Sequence, residues 1–322
     1  MAKRKLIAIL FGLIIFTSFS AHAENWPLRP VKIVAPYAAG GNSDAIARIV
    51  AQRLSETLGQ AFIVENRVGA NGALASEAVA RSAPDGYTLL WAATPPMTIS
   101  PALGKLNYDP VNDFAAISAV AINGFVLLVN KDFPPKSVRE FISYVKAQPQ
   151  KMAYAEGTAG SITHLAMALF LKRAGLEMTN VSYRGNAPAL NDVIAGHLPT
   201  MFSNLSDALP HAASGSVRLL AVSRAQREPQ IPDVPTIAES GFPGFDVTTW
   251  NGLVAPANTP RSIIDPLARE IGRAVKDGSF VQRLKGFGAD PLGNSPDEFA
   301  AMIKNDINTW ADAVKVAGLS AR

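Results

Sequence analysis

Short apolar runs alternate with amphipathic segments along almost the whole chain. Runs at Val31–Pro36, Ala61–Glu65, Thr88–Ala92, Phe125–Asn130, Met152–Ala155, Asn180–Tyr183, Thr200–Phe202, Val217–Val222 and Gly252–Ala255 read as strands. Asp44–Leu58, Ser137–Ala147, Ile162–Ala174 and Ala187–Ala195 read as helices between them. This alternation predicts an α/β chain of βαβ units, with parallel sheets covered on both faces. In the first helix Ile46, Ile49, Val50, Leu54 and Leu58 form one apolar stripe. Asn42 or Ser43 is placed to cap it, Asp44 sits in the first turn and Gly59 ends it.

Two passages interrupt the pattern, Thr94–Pro110 and Arg227–Phe245, both rich in Pro and Gly. Each lies close to a long apolar run, which suits a chain that leaves one lobe and later returns. The division expected is lobe one at residues 24–120 plus 223–322, and lobe two at residues 121–222. A single continuous α/β domain is the alternative.

Residues 1–23 have a different character. Lys3, Arg4 and Lys5 precede the apolar run Leu6–Phe16, and Ala21-His22-Ala23 supplies an A-x-A cleavage site, the pattern of a secretory signal peptide. Without them, 27 Lys and Arg face 26 Asp and Glu, so the basic charge belongs largely to the leader. No basic patch remains for nucleic acid or a membrane surface. The chain has no cysteine, which excludes disulfides, thiolate zinc sites and thiol catalysis. Together these features predict an exported, periplasmic protein, and nothing in them asks for more than a monomer.

Three strand–loop–helix junctions carry the chemistry. Ala38-Ala39-Gly40-Gly41 follows the first strand, and Ser43 and Asp44 open the helix beyond it. Small residues allow a ligand to approach the backbone, and free N–H groups at a helix start favour an anion. A tight turn that merely needs small residues fits equally well. The loop lacks the Walker lysine, has adjacent glycines in place of G-x-G-x-x-G, and does not match G-x-S-x-G around Ser43. A carboxylate fits such a loop better than a nucleotide. Gly157-Thr158-Ala159-Gly160-Ser161 repeats the design, with hydroxyls on Thr158 and Ser161 and with His164 one turn inside the helix. A lone helical histidine serves packing as readily as ligand contact. The third junction is Arg184-Gly185-Asn186-Ala187 with Pro188 in the first turn; the Arg184 fork suits a carboxylate or an ordinary ion pair. Ligands of open α/β sheets sit beyond the carboxyl ends of the strands, so these loops would face one another across a cleft. No cofactor fingerprint and no metal-ligand spacing accompanies them.

Several motifs carry a family resemblance. They are Trp26-Pro27-x-Arg29-Pro30, Pro36-Tyr37-Ala38-Ala39-Gly40-Gly41-x-x-Asp44, Glu65-Asn66-Arg67, Pro84-Asp85-Gly86-Tyr87-Thr88-Leu89-Leu90, Tyr183-Arg184-Gly185-x-Ala187-Pro188-Ala189, Asp233-Val234-Pro235-Thr236 and Trp250-x-Gly252-Leu253-x-Ala255-Pro256. In this order they resemble the periplasmic receptors of tripartite tricarboxylate transporters, the Bug family. The resemblance implies a type II periplasmic-binding-protein fold whose two α/β lobes close on a ligand. It also implies that loops starting near Tyr37 and Gly157 hold a carboxylate, partly through ordered water, and that membrane transporter subunits are partners. Thr94 and Trp250 are further candidates, Trp250 being equally suited to packing.

Three functions follow as expectations. The first is a receptor that captures a small organic carboxylate for a membrane transporter, with no catalysis. The second is a sensor presenting its ligand to a membrane kinase. The third is a hydrolase using Ser43 or Ser161 with His164 and Asp44.

Overall fold

In the computed structural model, which describes residues 26–158, 160–316 and 318–319, the first half of the chain runs β1 Val31–Ala35, α1 Asn42–Leu58, β2 Phe62–Asn66, α2 Ala73–Ala80, β3 Thr88–Ala93, α3 Ser100–Leu103, β4 Phe114–Asn130 and α4 Val138–Lys146. There follow β5 Ala153–Glu156, α5 Ile162–Ala174, β6 Thr179–Ser182, α6 Asn186–Ile194, β7 Thr200–Asn204, α7 Leu205–Ala213 and β8 Val217–Val222. The chain ends with β9 Thr248–Pro256, α8 Arg261–Ala274, α9 Gly278–Gly286, β10 Ala289–Pro291 and α10 Pro296–Val316. The leader and cleavage site expected at residues 1–23 lie outside the described residues.

The α/β expectation holds, but the sheets are mixed where parallel ones were predicted. β1 pairs in parallel with β2 and β3. β9 then joins β3 antiparallel, and β4 is antiparallel to β9 and β10. β4 is the organising strand, because it is 17 residues long and changes partners midway. Phe114–Gly124 pair with β9, while Phe125–Asn130 lie between β7 and β8, again antiparallel. β5 and β6 form a separate parallel pair. Sequence reading placed this strand only at Phe125–Asn130. The missed half, FAAISAVAING, is rich in alanine and lacks the β-branched run that marks a strand, yet most of it is buried.

Side-chain alternation sorts the residues into layers. Ile33, Leu89 and Trp91 pack under Ile46, Val50 and Leu54 of α1 and Ile264 and Leu267 of α8. Val34, Leu90 and Ala92 face the other way, towards Val79 of α2 and Phe299 and Ile303 of α10. Beyond the partner change, Leu127 and Val129 meet Phe141 of α4 and Leu165 and Phe170 of α5. Val126 and Leu128 meet Leu190 and Val193 of α6. Burying one such Leu or Ile side chain contributes roughly 1.5–3 kcal/mol, so these four layers dominate the stability of the fold. α10 spans both regions, since its Trp310 and Val314 join the α4–α5 layer.

Thr94–Pro110 is also more regular than expected. Pro95–Ile99 forms a π-helical turn that runs directly into α3. Prolines in a first helical turn forgo N–H groups that would have no partner there, so Pro95 and Pro96 do not prevent it. The two crossings between sheet regions are tied together by Ser223. Its Oγ accepts the Phe125 N–H at 2.8 Å and donates to the Val247 carbonyl at 2.5 Å.

Candidate functional site

The first junction turns at Gly40, whose φ of 86° is a left-handed conformation open to glycine. Its N–H donates to Asp44 Oδ2 at 2.9 Å. Asp44 is buried and also receives Arg48 Nε and Nη2 at 2.9 and 3.0 Å and Asn66 Nδ2 at 2.8 Å. Burial raises its pKa, but the bonds from Arg48, Asn66 and Gly40 outweigh it and hold the carboxyl below the ordinary range. Asp44 therefore fixes the loop. Ala39 and Gly40 stand exposed at its tip.

The helix start differs from expectation. The cap is Gly41, with no side-chain bond, so neither Asn42 nor Ser43 caps α1. Asn42 instead donates to Ser206 Oγ at 2.8 Å and to the Phe287 carbonyl at 2.7 Å, and its Oδ1 accepts from Asn123 Nδ2 at 2.9 Å. Ser43 Oγ accepts from Trp91 Nε1 and Asn251 Nδ2, both at 3.0 Å. A hydroxyl has two lone pairs and one proton. Both lone pairs of Ser43 are thus filled from buried residues of β3 and β9, and its proton remains to be given.

Tyr37 is half-buried, with its carbonyl accepting from Asn66 Nδ2 at 2.8 Å. Burial, with Tyr108 beside it, pushes its hydroxyl well above the usual phenol range. Thr94 is buried, and its Oγ1 accepts the Trp250 N–H at 2.9 Å. Trp250 is a core residue: its ring stands edge-on to Phe299 at 5.1 Å and its Nε1 donates to Asp306 Oδ2 at 2.7 Å.

The second junction repeats the geometry of the first. Gly160 has φ 74°, and its N–H donates to Nδ1 of His164 at 3.0 Å, again four residues on. Ser161 caps α5, accepting the His164 N–H at 3.4 Å and pairing with Thr163 Oγ1 at 3.0 Å. The Thr158 hydroxyl donates to the Gly157 carbonyl at 2.6 Å. His164 is buried against Glu156 at the end of β5. The hydrolase arrangement is not formed, because neither Ser43 nor Ser161 has an imidazole partner among the described residues; the contacts of both are those above.

The third junction is stitched to the second by the Gly185 N–H, which donates to the Gly157 carbonyl at 2.6 Å. Asn186 Nδ2 donates to Ser203 Oγ at 3.0 Å and Asp207 Oδ2 at 2.6 Å, while its buried Oδ1 has no partner among the described residues. Arg184 and Ala187 are exposed, and Arg184 forms no ion pair among the described residues.

Sequence reading missed Asn71, Glu156, Ser206 and Asn251. Asn71 Nδ2 donates to the Gly160 carbonyl at 3.5 Å, and a Cβ on Gly160 would lie 2.8 Å from Leu103 Cδ1. The second junction therefore meets the β2–α2 loop at Asn71 and α3 at Leu103. A recess of about 350 Å³ opens beside that contact, lined in part by Ala70, Asn71, Leu74, Leu103 and Lys105. The Asn71-Gly72 pair is a turn signal that could have marked this loop. A glutamate closing the apolar strand at Glu156 was the other available sign.

Among the described residues no cluster of three His, Cys, Asp or Glu could hold a metal ion, and no helix is long and apolar enough to cross a membrane. Residues 46–319 match the sequence profile described as tripartite tricarboxylate transporter family receptor. The chain belongs to that family. The receptor superposes on R. palustris Rpa4515 solved with adipate at a TM-score of 0.87 and 34% identity, over 92% of this chain and 100% of that one. It superposes on the periplasmic binding protein BugD at 0.83 and 34%, over 92% and 100%. MatC (Rpa3494) from Rhodopseudomonas palustris, with bound malate, gives 0.81 and 34%, over 90% and 100%. The receptor thus has the two-lobed type II periplasmic-binding fold that its motifs implied.

Proposed function

We propose that this receptor captures a small organic carboxylate between the starts of α1 and α5 and hands it to the membrane subunits of a tripartite tricarboxylate transporter. The observation that carries the reading is Ser43, whose lone pairs are filled by Trp91 and Asn251 and whose proton is left to donate at a helix start. The loops around it supply neutral N–H donors from small residues, a setting for an anion that must later be released. Relatives solved with adipate and malate support a carboxylate as the ligand class. The leader-like residues 1–23 support export to the periplasm.

In this reading residues 24–120 plus 223–322 form one lobe and residues 121–222 the other. The lobes rock about the crossings near Gly124–Phe125 and Val222–Ser223, where β4 changes partners. The receptor acts as a monomer and leaves its ligand unchanged.

A thermal-shift screen over organic acids tests the reading, with mass spectrometry of each mixture afterwards. A bound acid at 100 times its Kd should add about 2.7 kcal/mol of stability. Stabilisation by no acid would overturn the carboxylate reading, and consumption of the acid would overturn the receptor reading.

A further inference from the structure

Nδ1 of His164 has two neighbours that make opposite demands. The Gly160 N–H, a donor, lies 3.0 Å away, and Glu156 Oε2, an acceptor, also lies 3.0 Å away. Glu156 is 1% exposed, its Oε1 receives Ser182 Oγ and Asn180 Nδ2, and its Oε2 has no hydrogen-bond donor among the described residues. A carboxylate oxygen buried without a donor is costly, and facing the lone pair of an unprotonated Nδ1 makes it more so. Because Gly160 donates to Nδ1, the neutral ring carries its proton on Nε2, and a second proton placed between Nδ1 and Oε2 relieves this. Whether it rests on Nδ1 or on Oε2, it draws the Nδ1 lone pair away from Gly160.

Two consequences follow for an anion at the loop. The Gly160 N–H is released to donate to it, and the buried pair beneath the loop changes from a net negative charge to neutral. Both favour a carboxylate, the second because charges interact strongly in a poorly solvated site. We propose that Glu156 and His164 form a proton-binding site under the ligand loop, so that the receptor takes up a proton as it binds its carboxylate and loosens its hold when that proton leaves. The proposal rests on the carboxylate reading above.

The surroundings leave this pair to act on its own. From β5, Tyr154 brings a hydroxyl that burial and the Glu156 charge keep protonated. From β6 come the neutral Ser182 and Asn180, and β7, packed against α5, carries no titratable side chain. The nearby layer also receives Trp310 and Val314 of α10, whose Asp306 is engaged by Trp250. Among the described residues Glu156 is the carboxylate within ion-pair distance of the imidazole. Burial depresses the His164 pKa and the Glu156 charge restores only part of it, so without ligand the proton is held weakly.

The sign follows from linkage. A ligand that favours the protonated pair binds more tightly as pH falls, by at most about tenfold per pH unit for one proton. Calorimetry with adipate and malate, in buffers of different ionisation enthalpy and above the acids' own titration range, should show uptake approaching one proton and a Kd that tightens on acidification. Glu156→Gln should flatten that dependence. Binding with no proton uptake and a level Kd would overturn the proposal. NMR of the ligand-free wild type gives a second test: the Gly160 amide should shift with the same midpoint as the His164 ring nitrogens, and an amide unmoved while the ring titrates would also overturn it. If neither acid binds, the switch stands or falls on the Gly160 spectrum, and the carboxylate reading on the wider screen of organic acids above.

Discussion

Asn42, in the first turn of α1, donates a 2.8 Å hydrogen bond to the hydroxyl of Ser206 in the first turn of α7. α1 packs on the β1–β3 face and α7 on the far side of β4, so this bond joins the two sheet regions across the proposed cleft. Asn42 is also held by Asn123 of β4 and by the Phe287 carbonyl.

Removing the Ser206 hydroxyl should therefore weaken closure without disturbing either sheet. A single such bond is worth about 0.5–1.5 kcal/mol, so Ser206→Ala should raise the Kd for a bound acid by about 2- to 10-fold. Titration calorimetry measures the affinity, and small-angle scattering of the ligand-free protein should show a more extended average shape. Unchanged affinity would show that this contact does not help hold the closed form.

Asp44 makes a prediction about stability against pH. Its folded pKa is depressed, so its contribution is fully present above the unfolded carboxylate value of about 4. It is lost as pH falls through the lower, folded value. Asp44→Asn should cost about 1–3 kcal/mol at pH 7 by losing hydrogen bonds to a charged group, with Arg48 half exposed and thus adding little. In urea unfolding, the gap between wild type and variant should narrow steadily below about pH 4. A gap that stayed constant with pH would rule out the charge as its source.

Ser223 ties the two crossings at a fully buried position. Ser223→Ala leaves the Phe125 N–H without its side-chain partner and the Val247 carbonyl without its donor. Unsatisfied buried groups cost about 1–3 kcal/mol each, so a loss of roughly 2–6 kcal/mol is expected in denaturant unfolding. A loss within experimental error would mean that water or a backbone shift replaces both bonds.

How far these features could be read from sequence depended on the range of the interactions that create them. α5 and β8 were placed to the residue, because Ser161 and Gly175 mark the helix ends and a compact apolar run marks the strand. The first half of β4 was lost because its alanines take their strand conformation from β9 and β10, not from local preference. The loops with Gly40 and Gly160 were visible as small residues at strand ends. What holds those loops was not, since Ser43 meets Trp91 and Asn251 from 48 and 208 residues away. Asp44 and His164 were seen as residues of the right type at a helix start. Their shared task of holding a glycine amide four residues back depends on a left-handed turn that forms only in the folded chain.

Ser43 gives the sharpest test of the binding site. Ser43→Ala removes a hydroxyl proton directed by two filled lone pairs, and it also leaves Trp91 Nε1 and Asn251 Nδ2 without their acceptor. Affinity and stability should therefore both fall, and the two effects must be separated. Ser43→Thr keeps the hydroxyl and its acceptor role while adding a methyl group at a partly buried helix start. If Ser43 donates to the carboxylate, alanine should weaken binding by about 1.5–3 kcal/mol, or roughly 10- to 150-fold, as expected for a hydrogen bond to a charged group. Threonine should recover most of the stability and part of the affinity. If alanine lowers the melting temperature while the Kd stays unchanged, Ser43 only braces the strands, and the ligand is held by backbone N–H groups alone.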